Sequence, residues 1–527
     1  MKFKNFLREE QGGMMPIFAI TLVPIMSLVG ASVDLAGVMR AHTRLQVAID
    51  STALAVNHDL YLTTVQTNLS ATANSYFAKQ TVGLENPVID HVDFDVADGR
   101  VDLSATATYT PQVLTAFGLG PYTIRASAQS VVGDQSIEVA LVLDNSGSMA
   151  GNRLKDLKTA AKSLTTILFD TVSLQNRIKI SVVPFSGAVN VGPTNKDKTW
   201  MDTNALSPAH SENFISAKSR FDLFTTMNTP WAGCVESRGG THMVTDSEPK
   251  TTDPVSLFVP MFAPDELDEP GEVDNPGRNE NGKEYANSYL DDAGSCTQTQ
   301  KNATNTELGK QKRICKYTGV TPNTEGWGST NRGPNFWCNS KPIVPLTTVE
   351  KTITDTIDAM VAKGYTNIHE GLMWGWRVLS PGEPFTDGTA YGTPNVRKYI
   401  ILMTDGENTI NGRGTATVNR SDYSAYGYAT NNRLAANSSS MTDAQLKGAM
   451  DARLKTACAN AKNDDPAHPE KISIFTVAFH VSDQTTLDLL AECASSPSMA
   501  KKATSGTELD ATFSAIARDL GKLRLTH

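Results

Sequence analysis

Five oxygen-bearing side chains stand out by type and order in the 527-residue chain. Asp144, Ser146 and Ser148 lie in the run Asp144-Asn145-Ser146-Gly147-Ser148-Met149, Thr366 in Gly364-Tyr365-Thr366-Asn367-Ile368, and Asp405 in Thr404-Asp405-Gly406. Two carboxylates and three hydroxyls are hard donors, suited to Mg2+, Mn2+ or Ca2+ and poorly suited to zinc or copper. Other chemistries fit the same residues less well. A serine nucleophile needs a G-x-S-x-G elbow or a paired base, and a phosphate cradle needs G-x-x-x-x-G-K-[ST]; neither pattern is present. Asp144 and the serines could simply cap a helix starting at 152. Capping does not explain why Thr366 and Asp405 fall at two further expected strand ends. No acid/base or nucleophile constellation emerges, so the chain is not expected to be an enzyme.

The elements that must position these residues read as strands alternating with helices. The apolar run 136–143 (SIEVALVL) ends at Asp144, and a helical stretch follows from Asn152 to Phe169. The runs 177–185, 396–405 and 471–481 are equally strand-like. Buried strands alternating with helices predict an α/β fold with a doubly wound, mostly parallel sheet, in which ligands bind at the carboxyl ends of strands. His369 reads as a loop or helix-start residue, and His480 as a packed residue of an apolar strand. Trp374 and Trp376, two apart on a helix, point to different sides, so at least one belongs to the core and the other could line a rim.

Composition places the chain among globular proteins, with a net charge of -9. Residues 246–292 hold thirteen Asp or Glu against three Lys or Arg, and no basic stripe appears elsewhere. Nucleic-acid binding is therefore not expected. Residues 14–33 carry no charge over twenty positions, enough at about 1.5 Å per residue to cross about 30 Å of hydrocarbon. Lys2, Lys4 and Arg8 precede this span, so residues 1–13 form a cytoplasmic tail and the body lies across the membrane. A signal peptide cut near Gly30 to Ser32 is the alternative, and it exports the body equally. Beyond Asp34, Leu45, Ile49, Ala53, Val56 and Leu60 mark one face of a long helix. Three alternating runs between 88 and 132 then read as strands, with a turn through Asp98 and Gly99 whose spacing does not match a calcium loop.

Six cysteines without C-x-x-C spacing suit disulfides in an exported body. Cys458 and Cys493, in helices beside one strand, are expected to pair. Cys234, Cys296, Cys315 and Cys338 form two further bridges, with three connectivities open. These four lie in a Pro-, Asn- and Gly-rich insertion, 191–341. A second insertion, 407–441, follows Asp405. Both begin near strand ends, where partner specificity would reside.

The N-terminal segment resembles the TadE/TadG-like modules of tight-adherence (Tad, or Flp) pilus assembly. The resemblance rests on Gly12, Gly13, Asp34, Arg44, Leu45, Gln46, Asp50 and the triplet Ala53, Leu54, Ala55. Prepilin-like members place glutamate at the fifth apolar position after the processing glycine. Here that position is Phe18, so the likeness stops short of pilin-type processing. Further on, Asp144-x-Ser146-x-Ser148, Thr366 and Asp405 resemble the metal-ion-dependent adhesion site (MIDAS) of von Willebrand factor A (vWA) domains. Gly371-Leu372, Trp374-Gly375-Trp376-Arg377 and Thr404-Asp405-Gly406-Glu407-Asn408 are similar to the TadG-type subgroup. The resemblance implies a membrane-anchored module over 34–133, a vWA domain over 134–527, and a single pass through a bacterial inner membrane with the bulk periplasmic or extracellular. It also implies other pilus assembly components as partners. An ion held by this donor set is under-neutralised and can take an acidic side chain of a protein partner as a further ligand.

Overall fold

One helix, α1 (Met14–Leu62), carries the apolar run directly into the amphipathic stretch that follows it. The computed structural model describes residues 14–62, 69–95, 100–131, 136–170, 177–216, 219–267, 285–322, 332–394, 396–463 and 472–522. The turn at Asp98 and Gly99, the tail 1–13 and residues 268–284 of the acidic run lie outside them. The described residues fall into two compact units, one of residues 14–131 and a larger one of residues 136–521.

In the first unit, the early part of α1 exposes its large apolar side chains, Phe18, Ile20, Leu22, Ile25, Met26 and Leu28 among them. Among the described residues, the helical stretch Ile20–Asn57 is long and apolar enough to cross a membrane. The later part buries Leu45, Ile49, Ala53 and Val56, the three- and four-residue spacing that puts one stripe against a core. That stripe packs with α2 (Leu69–Gln80) and an antiparallel sheet of β1 (Glu85–Asp95), β2 (Arg100–Tyr109) and β3 (Tyr122–Val131). Along β2, buried Val101, Leu103, Ala105 and Ala107 alternate with polar residues, as expected of a sheet with one wet face.

The second unit is built on an eight-stranded sheet. Its strands are β4 (Ser136–Asp144), β5 (Ile178–Phe185), β6 (Val189–Asn190), β7 (Cys234–Val235), β8 (Val344–Thr347), β9 (Val396–Thr404), β10 (Ser473–Phe479) and β11 (Ala500–Ala503). Their order is β11-β10-β9-β4-β5-β6-β7, with β8 also on β5. The five strands from β11 to β5 are parallel, while β6, β7 and β8 are added antiparallel. Parallel strands covered on both faces need continuous apolar runs, and β4 is buried from Ile137 to Asp144. Helices α3 (Asn152–Asp170), α4 (Glu350–Ala359), α5 (Ile368–Leu379), α6 (Asp443–Asn463), α7 (Gln484–Cys493) and α8 (Gly506–Lys522) flank it. The chain leaves β4 for β5 on one side, whereas β9 lies on the other. The carboxyl end of β4 is therefore a switch point, where the loops after β4 and β9 diverge and leave a crevice.

Two readings of single residues change: the tryptophan that could line a rim, and His480. Trp374 and Trp376 are both fully buried, as is every residue of α5. The insertion supplies the reason: Phe258 stacks on Trp374 at 4.9 Å between ring centres, and Trp200 meets Phe258 at 5.6 Å, so the outer face of α5 is roofed. His480 does not pack inside a strand. β10 ends at Phe479, and His480 is exposed with a left-handed φ of 56° where the chain turns.

Disulfides join Cys234 to Cys338, Cys296 to Cys315 and Cys458 to Cys493. The last bridge ties α6 to α7. The other two staple the first insertion, whose Trp200, Phe214, Phe221, Phe262 and Tyr317 share one apolar core with Ile368 and Trp374 of α5.

Candidate metal centre

The loop after β4 turns through a short 3-10 segment, Gly147–Met149, before α3 begins. Register along the sheet sets Leu143 beside Met403, so Asp144 and Thr404 end neighbouring strands. Thr404 Oγ1 donates to Asp144 Oδ2 at 2.7 Å, and the Ser146 backbone N–H donates to Asp144 Oδ1 at 2.8 Å. Ser146 Oγ and Ser148 Oγ are 3.0 Å apart, and Ser148 Oγ donates to Asp405 Oδ1 at 2.6 Å. Asp144, Ser146, Ser148 and Asp405 therefore form one connected group.

Thr366 is bonded to Thr409, and its loop meets the group through Gly364. Gly147 N–H donates to Gly364 O at 2.9 Å, Asn367 N–H to Ser186 O at 3.0 Å, and Thr409 N–H to Thr366 O at 2.9 Å. The Thr366 loop is thus stitched to the segments after β4, β5 and β9 together. Its own N–H donates to Thr409 Oγ1 at 2.8 Å. Asn367 caps α5 by accepting from Glu370 N–H. Gly371, one turn into α5, lies against the Phe185 ring, which sets the distance between helix and sheet.

Electrostatics single out Asp144. It is fully buried, and burial, then the charge of Asp405, push its carboxyl up to about 6 against the hydrogen bonds from Thr404 and Ser146 that favour ionisation. The Asp405 carboxylate is buried as well, with Arg153 Nη1 at 2.7 Å from its second oxygen. Two buried carboxylates thus face one guanidinium, itself 40% exposed, and the surplus of negative charge and hydroxyl oxygens suits a divalent, oxygen-seeking ion. Among the described residues no group of three or more His, Cys, Asp or Glu is placed to hold a metal. The acid content of the candidate centre is therefore its two aspartates, with hydroxyls completing the set. Gly147 and Ser148 are exposed while Asp144, Ser146, Thr366 and Asp405 are buried, so the group opens to solvent on its Ser148 side.

His369 stands apart from this set. Burial lowers its imidazole to about 4, and the neutral ring bonds to Tyr426 OH at 2.9 Å and Met243 O at 3.0 Å. It joins the first and second insertions next to the Thr366 loop. Sequence reasoning missed Arg153, Thr404 and Thr409 as supports of the centre. The one available signal was position, since Thr404 and Thr409 flank Asp405 and Arg153 opens the helix after the Asp144 loop.

Residues 12–58 match a family model described as "Putative Flp pilus-assembly TadE/G-like". No curated protein matches the chain. Among solved structures, it is similar to the pilus adhesin SpaC from Lactobacillus rhamnosus GG in its open conformation, at 12% identity over 83% of this chain and 34% of that one, with a TM-score of 0.34. The vWF domain of the type V pili tip protein Mfa5 from Porphyromonas gingivalis matches at 11% identity over 74% and 96%, with a TM-score of 0.32. The pilus adhesin RrgA from Streptococcus pneumoniae matches at 11% over 83% and 48%, with a TM-score of 0.28. This chain spans about a third of SpaC and about half of RrgA. TM-scores of this size decide nothing about its chemistry.

Proposed function

We propose that this chain, with its TadE/G-like element at residues 12–58, is a membrane-anchored, extracytoplasmic component of Tad-type pilus assembly or adhesion. In this reading it binds protein partners through a divalent cation, Mg2+ or else Mn2+ or Ca2+, held by Asp144, Ser146, Ser148, Thr366 and Asp405. The observation that carries the reading is the meeting of two loops on one pair of buried carboxylates at the switch point of the sheet, with the Thr366 loop bonded to both of those loops. Asp144 and Asp405 supply negative charge, the hydroxyls supply neutral oxygen, and Thr404 and Arg153 orient the two carboxylates. When bound, the ion would offer a positively charged contact for an acidic side chain. The role in this reading is non-catalytic: Ser148 stands in no nucleophile elbow, and the carboxylate it donates to is also held by Arg153.

The alternative is an envelope scaffold in which the ion only stabilises the fold. Exposure of Gly147 and Ser148 above buried carboxylates favours the partner-binding role, because a purely structural ion needs no open side. Full-length protein in detergent, used as bait in lysates of piliated cells, tests the choice. Pilus components retained in Mg2+, lost in EDTA and lost with Asp144→Ala are expected. An identical set under all three conditions leaves only the scaffold.

A further inference from the structure

The hairpin of β2 and β3 runs along α1 toward its apolar end, and the side chains that touch the helix give its depth. Gln46 Nε2 donates to Ser127 O at 2.8 Å, Gly37 lies against the Tyr109 ring, and Gly30 lies against Val113. Asp34, buried between the two glycines, accepts the backbone N–H groups of Gln112, Val113 and Leu114 at 2.7, 2.9 and 2.7 Å. A side chain at position 30 or 37 would overlap Val113 or Tyr109, so the glycines permit this approach. The hairpin tip is therefore fastened to the helix at Gly30–Gly37.

This level matters for the membrane. The charge-free run 14–33 reaches about 30 Å, the thickness of the hydrocarbon layer, only when its last turn is included. Gly30, against which Val113 packs, belongs to that turn. The tip, residues 110–122 (TPQVLTAFGLGPY), carries no charge over thirteen positions. It exposes Phe117 at 59%, Leu119 at 51% and Tyr122 at 39%, beside a helix whose own apolar side chains are also uncovered. Apolar and aromatic side chains at the boundary of a span are the composition of an interfacial anchor.

We infer that residues 113–122 dip into the headgroup region of the membrane crossed by α1, so that Phe117 and Leu119 anchor the first unit at the lipid surface. The inference rests on the membrane reading above and adds a second contact to it. Asp34 then holds the anchor in register with the helix, and the first unit stands on the bilayer instead of swinging on a single helix.

All six cysteines are in disulfides, so one introduced cysteine gives a single labelling site. Full-length protein carrying Phe117→Cys, Leu119→Cys, Ile25→Cys or Asp93→Cys is labelled with an environment-sensitive fluorophore. Each is reconstituted in phosphatidylethanolamine and phosphatidylglycerol vesicles. Asp93 is exposed and pairs with Asp102, far along the hairpin from the tip. Labels at 117 and 119 are expected to emit to the blue of the label at 93. They should be quenched more by lipids with a nitroxide near the headgroup than by lipids with one deep in the acyl chain, and the label at 25 should show the reverse. Water-like emission at both 117 and 119 with deep quenching at 25 overturns the interfacial anchor and keeps the span. Water-like emission at 25 as well overturns the membrane reading itself.

Discussion

Gly371→Ala tests how the candidate centre is positioned. A Cβ built at Gly371 falls 2.7 Å from Phe185 Cδ1 and Cγ and 3.0 Å from Cδ2, against the 3.4 Å at which ordinary contact begins. Two effects oppose each other. Alanine in a helix interior is favoured over glycine by up to about 1 kcal/mol. Overpacking a well-filled core costs about 1–3 kcal/mol, and Phe185 cannot yield, because it is fully buried in β5 and its carbonyl accepts from Asn145 N–H at 2.8 Å. The clash should win, with a net loss of about 1–2 kcal/mol. Relief requires α5 to move off the sheet, and Gly371 N–H is bonded to Asn367 O, so the Thr366 loop moves with it. Urea denaturation should show a lower midpoint at unchanged slope, and Mg2+ affinity should fall in the same variant. A variant as stable as wild type, with unchanged affinity, would refute the account of how α5 sets the loop.

Glu266 is buried, and burial, then the charge of Asp422, raise its carboxyl to about 8, above its ordinary 4.5. The native state therefore holds a proton that the unfolded state releases. Stability from this group is full below about pH 4.5 and is lost as pH rises to about 8. Glu266→Gln should gain on wild type by up to about 1.4 kcal/mol per pH unit across that window in urea melts, and a pH-independent difference would contradict this. Disulfide loops differ in length, with separations of 104 residues for Cys234–Cys338 and 19 for Cys296–Cys315. Replacing the first pair by alanine should cost about 4.7 kcal/mol and the second about 3 kcal/mol by loop-closure entropy, an order that melting of the two variants checks. Thiol counting on denatured, unreduced protein should find no free cysteine.

Legibility in the sequence followed the physics of burial. Parallel strands covered on both faces must be continuous apolar runs, so β4, β5, β9 and β10 could be read, together with the loops that end them at Asp144 and Asp405. Contacts far apart in sequence left no such trace. An arginine at the start of a helix looks like any surface residue, and nothing local says that Arg153 meets Asp405. Trp374 and Trp376 could not both be assigned to the core because the roof over α5 comes from Trp200 and Phe258, more than a hundred residues earlier. Cysteine spacing left three connectivities open. The Cys234–Cys338 bridge follows from the pairing of β7 with β6, which brings Cys234 opposite Asn190, whose amide bonds Ser340 O two residues from Cys338. His480 was misread because an apolar run does not mark where its strand stops.

Calorimetric titration of the full-length protein in detergent with Mg2+ and Mn2+, for wild type, Asp144→Ala and Asp405→Ala, tests the central claim most directly. Wild type should bind one ion per chain. Asp144→Ala should lose binding while remaining folded, because the apolar strands do not depend on it, and Asp405→Ala should weaken it. Equal affinity in all three proteins, or no binding by folded wild type, would contradict the account and leave Asp144, Ser146 and Ser148 as the polar start of a helix.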